Sequence, residues 1–166
     1  RETTTQPDGN YAFTELPPGN YTITEPEQPT GTLNGVTVAG TGGGDVTAPT
    51  TTPSVISNVT LGVGEEARNN NFGEIPVGSI IGRVYNDANN NGVIDSNEPG
   101  IATVDVVLTG TNDIGETVTV TVPTDSEGRY RFENLRPGTY TVTEPTQPPH
   151  TLNGITSAGN VGGTPT

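Results

Sequence analysis

Twelve residues near the middle of this chain, Asp87-Ala-Asn-Asn-Asn-Gly-Val-Ile-Asp-Ser-Asn-Glu98, place oxygen donors at regular intervals. Asp87, Asn89 and Asn91 stand at alternate positions, so a tight loop turns their side-chain oxygens toward one centre. Gly92 supplies the sharp turn, Val93 a main-chain carbonyl, and Asp95 a further carboxylate that often acts through water. Glu98, in twelfth place, is the potential bidentate ligand, and Ile94 is the expected apolar anchor. This order of donors is that of the twelve-residue calcium loop, and its three carboxylates carry the charge that a hard divalent cation requires. Ca2+ is therefore the expected cofactor, held by Asp87, Asn89, Asn91, Val93, Asp95 and Glu98. A merely polar, Asn-rich loop is the alternative reading, and it leaves the order of the matched positions without a cause.

The segments that must position this loop read as strands. Gly78–Asn86 leads in, and Pro99-Gly100 leads out toward another strand, so the loop is not set between two helices and is not suited to open a helix pair as a sensor does. It is better placed to stiffen a strand connection. Elsewhere the period is two. Val104, Val106 and Leu108 share a face, as do Val118, Val120 and Val122, and Tyr130 and Phe132 share a face with Arg129 and Arg131 opposite. Pro7-Asp-Gly9 and Asp125-Ser-Glu-Gly128 are turns in which Gly takes a positive φ. Leu16–Tyr21 and Leu135–Tyr140 read as strand corners where a Tyr hydroxyl bonds back to loop backbone.

Composition agrees. The chain has 166 residues, 28% of them apolar, with 23 Gly, 15 Pro and no Cys, Met or Trp, a Thr-rich, turn-rich make-up that favours strands over helices. The expected fold is all-β: tandem antiparallel β-sandwich modules, Ig-like or prealbumin-like, of about seven strands each and without a helix. With no Cys, disulfides and thiol chemistry are excluded, and a single histidine, His150, excludes a multi-His metal site. Six Arg, no Lys and 19 acids give a net charge of −13, which repels nucleic acid and anionic membrane and attracts divalent cations. No apolar run is long enough to span a bilayer. The chain begins at Arg1 and reads as a mature product or a piece of something longer.

The sequence also repeats itself. Residues 5–44 match 124–163 without a gap at an offset of 119, with over half the paired positions identical. Thr-x-Thr-Glu-Pro at 22–26 returns at 141–145, and Thr-Leu-Asn-Gly at 32–35 returns at 151–154. Parts of two copies of one module are thus expected. Residues 1–75 form the C-terminal part of one repeat, without its first strands and loop; residues 78–166 form the N-terminal part of the next, with the loop at 87–98 but without closing strands. The join, Gly73–Gly78, is short, so neighbouring modules should stack head to tail. An incomplete sandwich leaves an unpaired edge, and two readings of it stand: an excerpt from a longer array, or a subunit completed by strand addition from a neighbour.

Gly78–Gly92 with Asp95-x-x-Glu-Pro-Gly-Ile101, Asp125–Phe132 and Leu135–Pro145 resemble the calcium-binding B repeats of serine–aspartate repeat surface adhesins. Val55–Gly62 and Asn70–Glu74 resemble that repeat's closing strands. The resemblance implies an extracellular protein of the bacterial cell surface, whose tandem β-sandwich repeats bind calcium and act as a stiff stalk, fibre or filament. Related collagen-adhesin B-type domains share the Leu-x-Pro-Gly-x-Tyr…Glu pattern, in which the Glu promotes a Lys–Asn isopeptide bond. Glu25 and Glu144 match that Glu, yet a chain without Lys cannot form the bond. Glu144 is then either a hydrogen-bonded structural carboxylate or a further calcium ligand. Asp105, Asn112, Asp113, Asp125 and Glu127 near strand ends offer a second cation site or simply a solvated acidic edge. Catalysis is not expected: His150 lies beside a loop and no Ser occupies a nucleophile elbow. A carbohydrate- or protein-binding adhesin module is the alternative function, which the paucity of aromatic residues disfavours.

Overall fold

A computed structural model describes residues 1–48 and 51–160. The chain forms two compact units, Arg1–Ile75 and Pro76–Thr166. The first contains β1 (Gly19–Glu25), β2 (Thr32–Val38), β3 (Asp45–Val46), β4 (Ser54–Leu61) and β5 (Asn71–Pro76). The second contains β6 (Gly78–Arg83), β7 (Asp105–Asn112), β8 (Thr117–Pro123), β9 (Arg129–Leu135) and β10 (Gly138–Thr143). Among the described residues there is no helix. Each unit sets a three-stranded sheet (β1-β4-β3 or β10-β7-β8) beside a two-stranded one (β2-β5 or β6-β9).

In the second unit the alternation of apolar and polar residues builds the sandwich directly. Val106 and Leu108 of β7 point to the same face as Phe132 and Leu135 of β9, and the four form one buried cluster that joins the two sheets. Val118 and Val122 pack against it, whereas Val120 stays 40% exposed. Its strand, β8, is the edge of a three-stranded sheet, and two strands opposite do not cover three. The core of the first unit is thinner, with Ile56 and Val59 of β4 fully or nearly fully buried and Tyr11 stacked 6.0 Å from Phe13 and 6.3 Å from Phe72. Both expected tyrosine corners form. Tyr140 donates to the carbonyl of Arg136 at 2.9 Å, and Tyr21 donates to that of Pro17. Gly9 and Gly128 take φ of 81° and 77° at the expected turns.

Repeated sequence does not give repeated structure at both ends of the duplication. Thr32–Val38 is a strand, but the matching Thr151–Ser157 is irregular; Arg129–Leu135 is a strand, but the matching Asn10–Leu16 is not. In each case the ordered copy has a partner strand, β5 for β2 and β6 for β9, and among the described residues the other copy has none. Strand propensity alone does not hold a segment extended; the ladder does. Because β10 coincides with β1 under the 119-residue offset, the ten strands represent nine distinct ones. That exceeds the seven expected, the surplus including the two-residue β3.

Candidate metal centre

The loop Asp87–Glu98 leaves and rejoins the second unit through a pinched base. Tyr85 and Gly100 form an antiparallel bridge, Asn86 N–H donates to Pro99 O at 3.0 Å, and Ile101 N–H donates to Val84 O at 2.9 Å. Gly100 makes this crossing possible: a Cβ there would sit 1.9 Å from the carbonyl oxygen of Glu127. Thr124, 4% exposed, fixes the exit by donating to Ile101 O and accepting from Val104 N–H, at 2.7 and 2.9 Å. The first and twelfth loop positions are thereby brought side by side.

Inside the loop the expected ligands form one hydrogen-bonded network. Asp87 accepts Asn91 N–H on Oδ1 (3.1 Å) and Gly92 N–H on Oδ2 (2.9 Å). Asn89 Oδ1 accepts Asn91 N–H, and Asn91 Oδ1 accepts Val93 N–H. Glu98, only 4% exposed, reaches back across the loop to Ala88 N–H (2.9 Å) and to Asp95 N–H (3.1 Å). Asp95 Oδ2 takes the side-chain N–H groups of Asn89 and Asn91 at 2.8 and 3.1 Å. Gly92, with φ of 72°, makes the turn, helped by Asn90 at 54°.

The donor chemistry suits a hard cation. Each carboxylate oxygen of Asp87 and Glu98 that holds one N–H retains a second lone pair. Two features differ from the expected arrangement. The Asn89 and Asn91 amides turn nitrogen rather than oxygen toward Asp95, and the three carboxylates do not converge: among the described residues no three His, Asp or Glu side chains stand close enough to chelate a metal. Like charges spread apart and take N–H donors instead. Nor is Ile94 an anchor, being 47% exposed where the loop projects past its base.

Tyr85, at the base of the loop, was not singled out from sequence. Burial first, then the charges of Asp87, Glu98 and Asp95, push its hydroxyl pKa above the usual value. Its position two residues before the loop was the available signal. The residues offered as a second cation site separate into two groups at opposite ends of the β7–β8 hairpin. Asp113 pairs with Arg136 at 2.7 and 3.1 Å, which holds its pKa below the usual range, and Asn112 caps the hairpin turn through Ile114 and Glu116 N–H. Asp125 accepts the N–H groups of Glu127 and Arg129, Glu127 pairs with Arg129, and Asp105 is exposed at the start of β7. They read as turn and edge groups.

The two matched glutamates meet different surroundings. Glu25 lies against Glu74 of β5, whose pKa is pushed up to about 7 by burial, then by the Glu25 charge and the hydrogen bond between the two carboxyls, with Thr32 Oγ1 at 3.3 Å opposing. Burial raises the pKa of Glu144, with a hydrogen bond from Gln147 opposing, and among the described residues its Oε1, like Glu74 Oε1, is buried without a hydrogen-bond partner.

Residues 78–162 match the family model described as SdrD B-like domain. The chain is 35% identical over 161 residues to serine-aspartate repeat-containing protein D of Staphylococcus aureus strain Newman, covering 95% of this chain and 11% of that protein. It is 39% identical over 142 residues to serine-aspartate repeat-containing protein E of strain USA300, covering 84% of this chain and 11% of the relative. Similarity reaches Colossin-A of Dictyostelium discoideum, at 38% over 80 residues, 48% of this chain and 1% of that one. The chain thus spans about a tenth of the length of the staphylococcal proteins it matches. No solved structure matches it.

Proposed function

This chain belongs to the SdrD B-like domain family, and from that premise we propose that it is a structural repeat of a bacterial surface protein, stiffened by Ca2+ bound in Asp87–Glu98. The observation that carries this reading is the closed hydrogen-bond network of the loop, pinned at its base by Tyr85–Gly100 and tied across by Glu98. The ligands are Asp87, Asn89, Asn91, the Val93 carbonyl, Asp95 and Glu98. On binding, the two Asn amides present oxygen, and the cation takes over the role their N–H groups play beside Asp95. The unit that holds the loop has a small core, so a cation that binds only the folded form is a substantial part of its stability: about 2.7 kcal/mol at a hundredfold excess over the dissociation constant.

In this reading the chain works outside the cell and in series with neighbouring repeats, head to tail, as part of a stalk or fibre. In this role it needs no catalytic site, and His150 is exposed in a loop. Among the described residues no helix is long and apolar enough to cross a membrane.

Calorimetric titration of the chain with CaCl2 tests the proposal. Binding at this loop is expected, abolished by Asp87→Ala combined with Glu98→Ala, and chelation should lower the melting temperature by about 10 °C or more. Unchanged melting with and without chelator, in a chain that melts cooperatively, would refute it.

A further inference from the structure

Thr32–Val38 and Thr151–Ser157 are nearly the same sequence in two states. In the first unit Thr-Leu-Asn-Gly-Val-Thr-Val is β2, paired with β5, with Asn34, Gly35 and Thr37 buried. In the second, Thr-Leu-Asn-Gly-Ile-Thr-Ser is irregular, and Leu152 is 93% exposed. It rests instead on the loop, where Ser157 Oγ donates to Gly92 O at 3.1 Å and Ile155 lies over Gly92. In the first unit Glu25 lies against Glu74 of β5.

We propose that Thr151–Ser157 is an acceptor for an incoming β-strand with the chemistry of β5, Asn-Asn-Phe-Gly-Glu, supplied by a further copy of this repeat. The β2–β5 ladder shows what recognition requires. A Cβ on Gly35 would meet Gly73 O at 2.7 Å, and a Cβ on Gly73 would meet Val36 O at 2.8 Å. The two backbones approach so closely that only glycine fits on either side. Gly154 occupies the place of Gly35, and among the described residues a Cβ there would meet nothing nearer than Asn90 Oδ1, at 3.6 Å. It is a glycine for which the second unit by itself has no steric need. On docking, the strand's Phe would lie against Tyr130, as Phe72 lies 6.3 Å from the matching Tyr11, and its Glu would lie beside Glu144, as Glu74 lies beside Glu25. Backbone pairing supplies the affinity and the glycine pair the specificity.

The test uses the full chain and a peptide of the sequence Asn69–Val77, in calcium and again in chelator. Saturable one-to-one binding is expected, with amide-exchange protection appearing across 151–157. Gly154→Ala should leave the melting of the free chain unchanged and abolish that protection, as should a peptide carrying Gly73→Ala. Absence of protection at 151–157 up to about 1 mM peptide, the limit of weak recognition, overturns the inference; so does binding that either substitution leaves intact. Because protection is read both in calcium and in chelator, its failure and that of the calcium reading are separable.

Discussion

Glu74 shows how one side chain makes a unit sensitive to pH. Burial first, and then the charge of Glu25 against it, let it hold its proton up to a pH of about 7 instead of 4.5, because losing water and facing a second carboxyl both disfavour the ionised form. Since the folded-state pKa lies above the unfolded one, its contribution is fully present below pH 4.5 and is lost as pH rises through about 7. Water screens much of this, leaving about 1 kcal/mol. Glu74→Gln keeps a hydrogen-bonding group and removes the titration. Thermal melts should find the variant a few degrees more stable than the parent at pH 8 and equal to it at pH 5; a difference that does not vary between these pH values would dismiss the shared proton. Neither Glu25 nor Glu74 was legible as a pair in the sequence, 49 residues apart, because it is the pairing of β5 with β2, beside β1, that brings them together. The loop was legible because all its donors lie within one twelve-residue segment; what the sequence concealed was which atom each Asn amide points inward.

At the level of strands, the two halves of the duplication separate intrinsic preference from context. The period-two pattern located β7, β8, β9 and β10, since in those segments the apolar face and the partner strand agree. At Asn10–Leu16 and Thr151–Ser157, whose sequences match β9 and β2, no ladder forms among the described residues. Aromatic contact survives without the ladder: Tyr11 and Phe13 stand 6.0 Å apart, much as Tyr130 and Phe132 stand 5.8 Å apart in their strand. Packing thus precedes hydrogen bonding as the feature that both copies share. One substitution made at matched positions should then have two different costs. Gly35→Ala drives a methyl group into the carbonyl of Gly73 and should destabilise the first unit by about 1–3 kcal/mol. Gly154→Ala makes only ordinary van der Waals contact, with Asn90 Oδ1 at 3.6 Å, and should leave the chain within about 0.5 kcal/mol of the parent. Denaturant melts of the two variants decide the matter, and equal losses would mean that the two segments share one environment.

For the molecule as a whole, what matters is that the two units are unequally equipped. The Asp87–Glu98 loop belongs to Pro76–Thr166, while the Glu25–Glu74 carboxyl pair belongs to Arg1–Ile75. Both carry small cores, with Ile56 and Val59 at the centre of one and Val106, Leu108, Phe132 and Leu135 at the centre of the other. Buried apolar area of that size leaves little margin over chain entropy, so each unit's stability is set largely by its own special feature. A cation that binds only one unit stabilises that unit and does nothing for the intrinsic stability of the other. Scanning calorimetry should therefore resolve two transitions whose order depends on conditions. Adding Ca2+ at pH 8 should raise the transition of the loop-bearing unit, identified by its loss in Asp87→Ala/Glu98→Ala, and leave the other in place. Lowering the pH from 8 to 5 without the metal should raise the transition that Glu74→Gln makes insensitive to pH. A single transition that Ca2+ moves as one would instead mean that the two units melt as one cooperative body, and that a cation in one repeat stiffens its neighbour as well.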